Sequence, residues 1–254
     1  MKPIDMSDHD SMIFVKQQGA MRTGTNLVKF ALEENFTNVY VLVNIGRWKH
    51  ATAETPFNWH GINWEGEGRS VDVLSRINRE DLSLVRTASD AGAVNFAISI
   101  RNVYSWLVSY IRFTYLDGTP PYPPLKDLPQ ECIVEALNQW NSLYGSYISL
   151  LDRDRRTMLF RLEDLLTDFS GTLNQARRLW GLKPRHAQYV KPNRYMRAGI
   201  DGQSRSELLH PSLQFDRRQY LSDSHATQLS DSLLAIIRQT VDVSILRAYG
   251  YEIL

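Results

Sequence analysis

Residues 12 to 32 read Met12-Ile13-Phe14-Val15-Lys16-Gln17-Gln18-Gly19-Ala20-Met21-Arg22-Thr23-Gly24-Thr25-Asn26-Leu27-Val28-Lys29-Phe30-Ala31-Leu32, and their reading decides the fold. Met12 to Val15 form a short apolar run, residues 16–25 are polar and glycine-containing, and Leu27, Phe30, Ala31 and Leu32 then recur at helical spacing. The order is strand, loop, helix. A second apolar run, Val39-Tyr40-Val41-Leu42-Val43, predicts a second strand. Further strands are expected at Leu82 to Val85, Ala93 to Ile100 and Met158 to Phe160. Helical patterns occupy 102–114, 130–151, 170–180 and 226–247; the second carries Ile133, Leu137, Trp140, Tyr144, Tyr147, Ile148 and Leu151 on one face. Strands alternating with helices predict an α/β fold, a parallel β-sheet flanked by helices.

The 254 residues include 29 Lys+Arg against 28 Asp+Glu, a formal net charge of +1, and 43% are hydrophobic. This composition suits a folded chain with a sizeable core and argues against disorder. The neutral balance also argues against an extended basic surface for nucleic acid, so any anion site must be local. No apolar run reaches the roughly 18 residues of a membrane span. Asp5, Asp8 and Asp10 stand where a signal peptide would have its apolar core, so the chain is expected to be cytoplasmic, with residues 1–10 a flexible N-terminus. Cys132 is the only cysteine, which excludes an internal disulfide and any multi-cysteine metal site. It has no motif partner for a catalytic thiol. Of the basic residues 22 are Arg and 7 are Lys, a bias that suits phosphate and sulfate recognition and that genome composition also produces.

Gly118-Thr-Pro-Pro-Tyr-Pro-Pro124 is a stiff connector. The strand expected at Met158 lies beyond it, so one domain over 1–254 is the expectation, without internal repeats. The stretch 45–70 has weak periodicity and exceeds the usual loop length, which marks it as functional.

The loop Gly19 to Asn26 opens a helix, where backbone N–H groups and the positive helix end hold anions. Its glycines have the spacing of a P-loop. A P-loop for nucleoside triphosphates continues with Lys-Ser/Thr, the lysine for the phosphates and the hydroxyl for Mg²⁺; here Thr25-Asn26 stand instead. The segment Arg22-Thr23-Gly24-Thr25 resembles the first loop of the sulfotransferases that use 3′-phosphoadenosine 5′-phosphosulfate (PAPS). That resemblance implies that Arg22, Thr23, Gly24, Thr25 and Asn26 grip the donor's 5′-phosphosulfate, with Arg22 near the leaving oxygen. Without the resemblance, the same residues also read as a glycine turn with Thr25 capping a buried helix.

Ala97-Ile-Ser-Ile-Arg101-Asn102-Val103-Tyr-Ser-Trp-Leu-Val-Ser109-Tyr110 runs from a buried-type strand into a helix. It resembles the same family's second motif, an Arg at a strand end, often Arg-Asn-Pro, followed eight positions later by a Ser. Val103 replaces the proline. The resemblance implies that Arg101 and Ser109 contact the donor's 3′-phosphate; the alternative is an Arg paired with a carboxylate and an ordinary helical Ser. Met158-Leu-Phe-Arg161-Leu162-Glu163-Asp164-Leu165 is similar to the family's Tyr-Glu-Asp-Leu segment, with Leu162 in place of the tyrosine. Glu163 and Asp164 read as structural, since acids at a helix start complement its dipole. Trp180-Gly181-Leu182 extends the match, which covers about residues 11 to 182 and, more loosely, Ala248-Tyr249-Gly250-Tyr251-Glu252. The implied fold is the P-loop-NTPase-like sulfotransferase fold.

The implied reaction is in-line transfer of a sulfuryl group from PAPS to an acceptor hydroxyl or amine, with PAPS as donor substrate and no metal. Positioning and charge stabilisation at the leaving phosphate dominate such transfers. Arg22, which stays protonated, is the candidate for that charge. Gly46-Arg47-Trp48-Lys49-His50 follows the second strand, on the side where α/β sheets bind ligands. His50 is the candidate general base and Lys49 a second cation; His60, Glu54, Glu65 and Glu67 compete for the base, and His50 also reads as a surface histidine. Trp48, Phe57, Trp59 and Trp64 either line a site for a carbohydrate, lipid or small-molecule acceptor or pack their loop onto the core. Arg194, Arg197 and Gly199 resemble the family's late basic-glycine loop over the 3′-phosphate and also read as a solvated loop.

Gly66-Glu-Gly68 lacks the strand and third glycine of a dinucleotide fingerprint. Histidines 9, 50, 60, 186, 210 and 225 show no metal-ligand spacing. Two other function classes remain open: a P-loop kinase or phosphotransferase using Mg·ATP, and a non-catalytic nucleotide-binding module in which Arg101 matters while His50 and Lys49 do not.

Overall fold

In a computed structural model of the chain, residues 12–43, 49–53, 87, 93–115, 125, 128–153, 156–196, 209–215, 217–221 and 229–253 are described. Four strands, β1 (Ile13–Gly19), β2 (Val39–Leu42), β3 (Asn95–Ile100) and β4 (Thr157–Arg161), form one sheet in the order β2-β1-β3-β4, and every neighbouring pair is parallel. A parallel sheet is covered on both faces, so its strands carry apolar side chains on both sides. Val15, Val41, Ala97, Met158 and Phe160 belong to one buried cluster with α1 (Thr25–Asn35). Ile98 and Ile100, of opposite parity in β3, belong to the other cluster. It contains residues of α2 (Val103–Tyr115) and α3 (Gln130–Arg153), the latter through Trp140, Tyr144 and Tyr147.

The remaining elements extend these two layers. Helices α4 (Leu162–Thr167) and α5 (Phe169–Trp180) join the α1 side. β5 (Arg194–Met196) and β6 (Leu209–Gln214) make a small antiparallel pair, and α6 (Arg218–Leu221) follows. Helices α7 (Asp231–Thr240) and α8 (Val243–Ala248) join the α3 side. Asp168 caps α5 by accepting from the Gly171 amide at 2.9 Å, and Ser230 caps α7.

The parallel sheet expected from the sequence is present, with three corrections. β1 continues four residues past its apolar run, because Lys16, Gln17 and Gln18 are polar yet 0%, 0% and 1% exposed. Lys16 Nζ donates to Val43 O at 2.9 Å, Gln17 Nε2 to Thr25 O, and Gln18 Oε1 accepts from Tyr147 at 3.4 Å, so each side chain has a partner inside, while Gln17 Oε1 has none. The pattern over 226–247 contains two helices instead of one. Val241 is extended, and Asp242 starts α8 by accepting from the Ser244 amide at 2.8 Å. The β5–β6 pair was not expected. The strand at Leu82 to Val85, the connector Gly118 to Pro124 and residues 1–10 lie outside the described residues.

The register brings the C-terminal ends of three strands to one edge: Gly19 pairs with Ser99, and Ile100 with Arg161. Gly24, at φ 84°, turns the chain from that edge into α1, and a Cβ there would lie 2.8 Å from Leu162 Cδ1. Gly181, at φ 67°, has nothing within 4 Å of such a Cβ. Gly181→Ala should therefore cost only the left-handed backbone term, about 1 kcal/mol. Gly24→Ala should cost about 3 kcal/mol, since the clash adds to that term. Urea unfolding of the two variants checks this, and equal losses would mean that Leu162 gives way.

Candidate anion site at the strand ends

The loop leaving β1 is fixed from several sides. Gly19 N donates to Lys49 O at 2.9 Å and Ala20 N to the Tyr144 hydroxyl at 3.2 Å. Trp106 Nε1 donates to Met21 O at 2.8 Å, and Thr23 Oγ1 to Ala20 O at 2.7 Å. Arg22 (φ 70°) and Gly24 (φ 84°) are both left-handed, and Arg22 is the non-glycine residue with positive φ among those described. That conformation costs an arginine about 1–2 kcal/mol, and such strain is concentrated at functional sites. The amides of Arg22, Thr23, Gly24 and Thr25 make no hydrogen bond among the described residues. Gly24, and not Thr25, is the N-cap of α1, and no side chain caps it. The result is a concave set of N–H groups at a helix start, the arrangement that binds anions. The expectation of Thr25 as cap is thereby corrected.

Arg22 Nε donates to Ser109 Oγ at 3.3 Å, and its guanidinium lies 5.2 Å from the centre of the Phe113 ring. Arg101, 1% exposed, donates from Nε to Ser105 Oγ at 2.9 Å and lies 5.6 Å from the Tyr220 ring centre. Ser109 therefore meets Arg22, while Arg101 takes Ser105, one turn along α2 and not two. Asn102, Ser105 and Ser109 are the half-buried positions on a stretch of α2 otherwise buried from Val103 to Tyr110. They lie on one helical face. Arg197 and Gly199 lie outside the described residues; Arg194 sits exposed on β5.

Lys49 is buried, and its Nζ donates to Asn26 Oδ1 at 2.6 Å, so a cation from beyond β2 reaches the first loop. His50 Nδ1 contacts Gly19 O. A carbonyl only accepts, so Nδ1 carries the proton and Nε2 the lone pair. Burial, and then the Lys49 ammonium, push the His50 imidazole down to about 3, against the smaller upward pull of its bond to Gly19 O. It is neutral near pH 7. Trp48, Arg47 and Gly46, with His60, Glu54, Glu65, Glu67, Phe57, Trp59 and Trp64, lie outside the described residues.

The sequence reading missed Ser105, Tyr144, Tyr220 and the partners of Glu163. Ser105 is four residues after Arg101, so helical spacing alone could have suggested it. Glu163 is more than a dipole partner: Oε1 accepts from the Asn102 amide at 2.9 Å and Oε2 from the Tyr251 hydroxyl at 2.7 Å. Asp164 lies 3.7 Å from Arg161 Nε. The residues present fit an anionic ligand: amides without hydrogen-bond partners among the described residues, two guanidiniums, a lysine, and the buried Ser99 hydroxyl, which has no hydrogen-bond partner. Among the described residues no group of three or more His, Cys, Asp and Glu could hold a metal ion, and no helix is long and apolar enough to cross a membrane.

The neutral His50 has a pH consequence. Unfolded, it titrates near 6.5; folded, it stays neutral down to about 3. Below pH 6.5 the unfolded state takes up a proton that the folded state refuses, so stability falls with pH by up to about 1.4 kcal/mol per unit in that window. His50→Asn keeps a donor for Gly19 O without the titration. Its melting temperature should fall less between pH 7.5 and 5.5 than that of the parent, and equal falls would show that His50 titrates normally.

No protein-family model matches the chain, and no curated protein matches its sequence. Among solved structures, the crystal structure of mouse sulfotransferase SULT7A1 complexed with PAP is similar at 14% identity, over 95% of this chain and 89% of that one, with a TM-score of 0.44. A TM-score of 0.44 is too low to carry the fold or the ligand of that protein over to this chain.

Proposed function

We propose that this chain is a PAPS-dependent sulfotransferase acting on an acceptor hydroxyl of a carbohydrate, lipid or small molecule. The observation that carries the reading is the row Arg22, Ser109, Ser105, Arg101 along one face of α2. Ser105 and Ser109 are separated by four residues, about 6 Å of helix rise. Two guanidiniums, one bonded to each serine, with an amide cradle at one end, suit a ligand with two separate anionic groups. PAPS, when bound, supplies the sulfuryl group and a phosphate as its leaving group. Arg22 and the amides of residues 22 to 25 stabilise negative charge at the cradle. Lys49, held by Asn26, adds a cation there. His50 Nε2 accepts the acceptor's proton, with Gly19 O fixing the tautomer. An anion in the cradle raises the basicity of His50, offsetting the effect of Lys49. Arg101 and Ser105 serve the second anionic group.

The contact of Lys49 with Asn26 also favours a second reading, a phosphotransferase in which Lys49 takes the part of the loop lysine that Thr25 does not supply. Calorimetry separates the two. Adenosine 3′,5′-bisphosphate should bind without Mg²⁺ and more tightly than ATP, and Arg101→Ala should weaken it by about a hundredfold. A preference for Mg·ATP overturns the proposal. With saturating PAPS and an accepted substrate, His50→Ala should slow turnover by about 10²–10⁴-fold. Unchanged turnover removes His50 from the reaction, and binding without transfer to any of a broad acceptor panel favours a binding module.

A further inference from the structure

We infer that Glu163, with Tyr251 behind it, is a positioning residue for Arg101 and sets the affinity for the ligand's second anionic group. This deepens the proposed reading and rests on it.

A carboxylate beside an anion-binding turn opposes the anion by charge, so its benefit there must come from hydrogen bonding. Both oxygens of Glu163 are engaged, Oε1 with the Asn102 amide at 2.9 Å and Oε2 with the Tyr251 hydroxyl at 2.7 Å. Tyr251 is itself held. It is buried, its ring centre lies 4.4 Å from the Arg161 guanidinium, and burial beside Glu163 keeps its phenol protonated and so a donor.

Asn102 is the residue through which this reaches Arg101. Its amide belongs to the start of α2, where no carbonyl one turn earlier can satisfy it, and Glu163 supplies the acceptor. Its side chain accepts from the Tyr104 amide at 3.0 Å, and its carbonyl accepts from Trp106 N at 2.8 Å and Ser105 Oγ at 3.1 Å. Ser105 Oγ then receives Arg101 Nε at 2.9 Å. The peptide joining Arg101 to Asn102 is thus fixed on its N–H side by Glu163, and the guanidinium is fixed by a serine bonded to the same residue. Asn102 and Glu163 are 61 residues apart and Glu163 and Tyr251 are 88 apart, so three distant segments converge on one turn.

The test uses the full chain and two probes, adenosine 3′,5′-bisphosphate and adenosine 5′-monophosphate, whose affinity ratio reads the worth of the second phosphate. By calorimetry, Glu163→Ala should lower that ratio about tenfold, with the monophosphate affinity nearly unchanged. Glu163→Gln should keep the ratio, since its carbonyl still accepts from Asn102 and its amide donates to the Tyr251 oxygen. Tyr251→Phe should lower it about threefold. A merely structural Glu163 would lower the melting temperature and leave the ratio alone. That result, with Arg101→Ala still abolishing the preference, overturns the inference while sparing the proposed function. If Glu163→Ala does not fold, the other two variants decide: a reduced ratio in Glu163→Gln, or an unchanged one in Tyr251→Phe, overturns it. A parent chain that prefers neither probe overturns the donor reading and this inference with it.

Discussion

The Tyr144 hydroxyl sits where β1 and β3 part. The last ladder pair is Gly19 with Ser99; beyond it one chain turns into the loop of Arg22 and the other runs to Arg101. No ladder bond can span that split. The hydroxyl does so by donating to Ser99 O at 2.8 Å and accepting from Ala20 N at 3.2 Å. Burial pushes its phenol well above the ordinary range, so the proton stays and the donor role is fixed. Trp140, Tyr147 and Tyr249 surround the ring at centroid distances of 4.8, 5.8 and 5.3 Å, which leaves it little room to rotate. Removing the hydroxyl would take from the buried Ala20 N–H and the buried Ser99 C=O the partner they share, at about 1–3 kcal/mol each. Tyr144 of α3 thus ties together the two arginine-bearing turns at the point where their strands part.

Charge at the strand ends is local, which is why a net charge of +1 conceals it. Lys16, Lys49 and Arg101 are buried, and Arg22 is half-buried. Buried cations raise the potential around them far more than solvated ones do. Burial is the larger cause of the low proton affinity of His50, and Lys49 and Lys16 lower it further.

The sheet was legible because buried parallel strands appear as apolar runs: Val39 to Val43 is unbroken, and Ala93 to Ile100 is interrupted only by Asn95 and Ser99. The end of β1 was not, since Lys16, Gln17 and Gln18 look solvated until their partners Val43, Thr25 and Tyr147 are known. The break between α7 and α8 was hidden because an Asp cap at Asp242 differs little from an exposed helical Asp. In the candidate site, Arg22, Arg101 and Ser109 stood out through the resemblance of two short motifs to a known family. Their pairing did not, because spacing along one helix fixes a face and not which arginine meets which serine. Tyr220 and Tyr251 were invisible for the same reason: their contacts with Arg101 and Glu163 cross large stretches of chain.

Helix α2 acts as a ruler between the two arginines, and a ruler is useful only if both ends are pinned. Near Arg22 the pin is Trp106, whose indole donates to Met21 O at 2.8 Å while its ring stacks on Tyr110 at 4.8 Å. Near Arg101 it is the Asn102 amide on Glu163. Val103, Leu107, Val108 and Ile111 bury the opposite face, so sliding or rotating the helix would expose apolar surface worth roughly 25 cal/mol per Å². Val103, where proline would have stiffened the turn, retains an N–H and a free φ, and the turn is held by the Asn102 bonds. Under the proposed function, a ligand with two anionic groups closer together or further apart than the ruler allows would have to give up one arginine or strain a packed helix. Under the same reading, discrimination by spacing would follow from the pinning of α2, independently of what lies between the two groups.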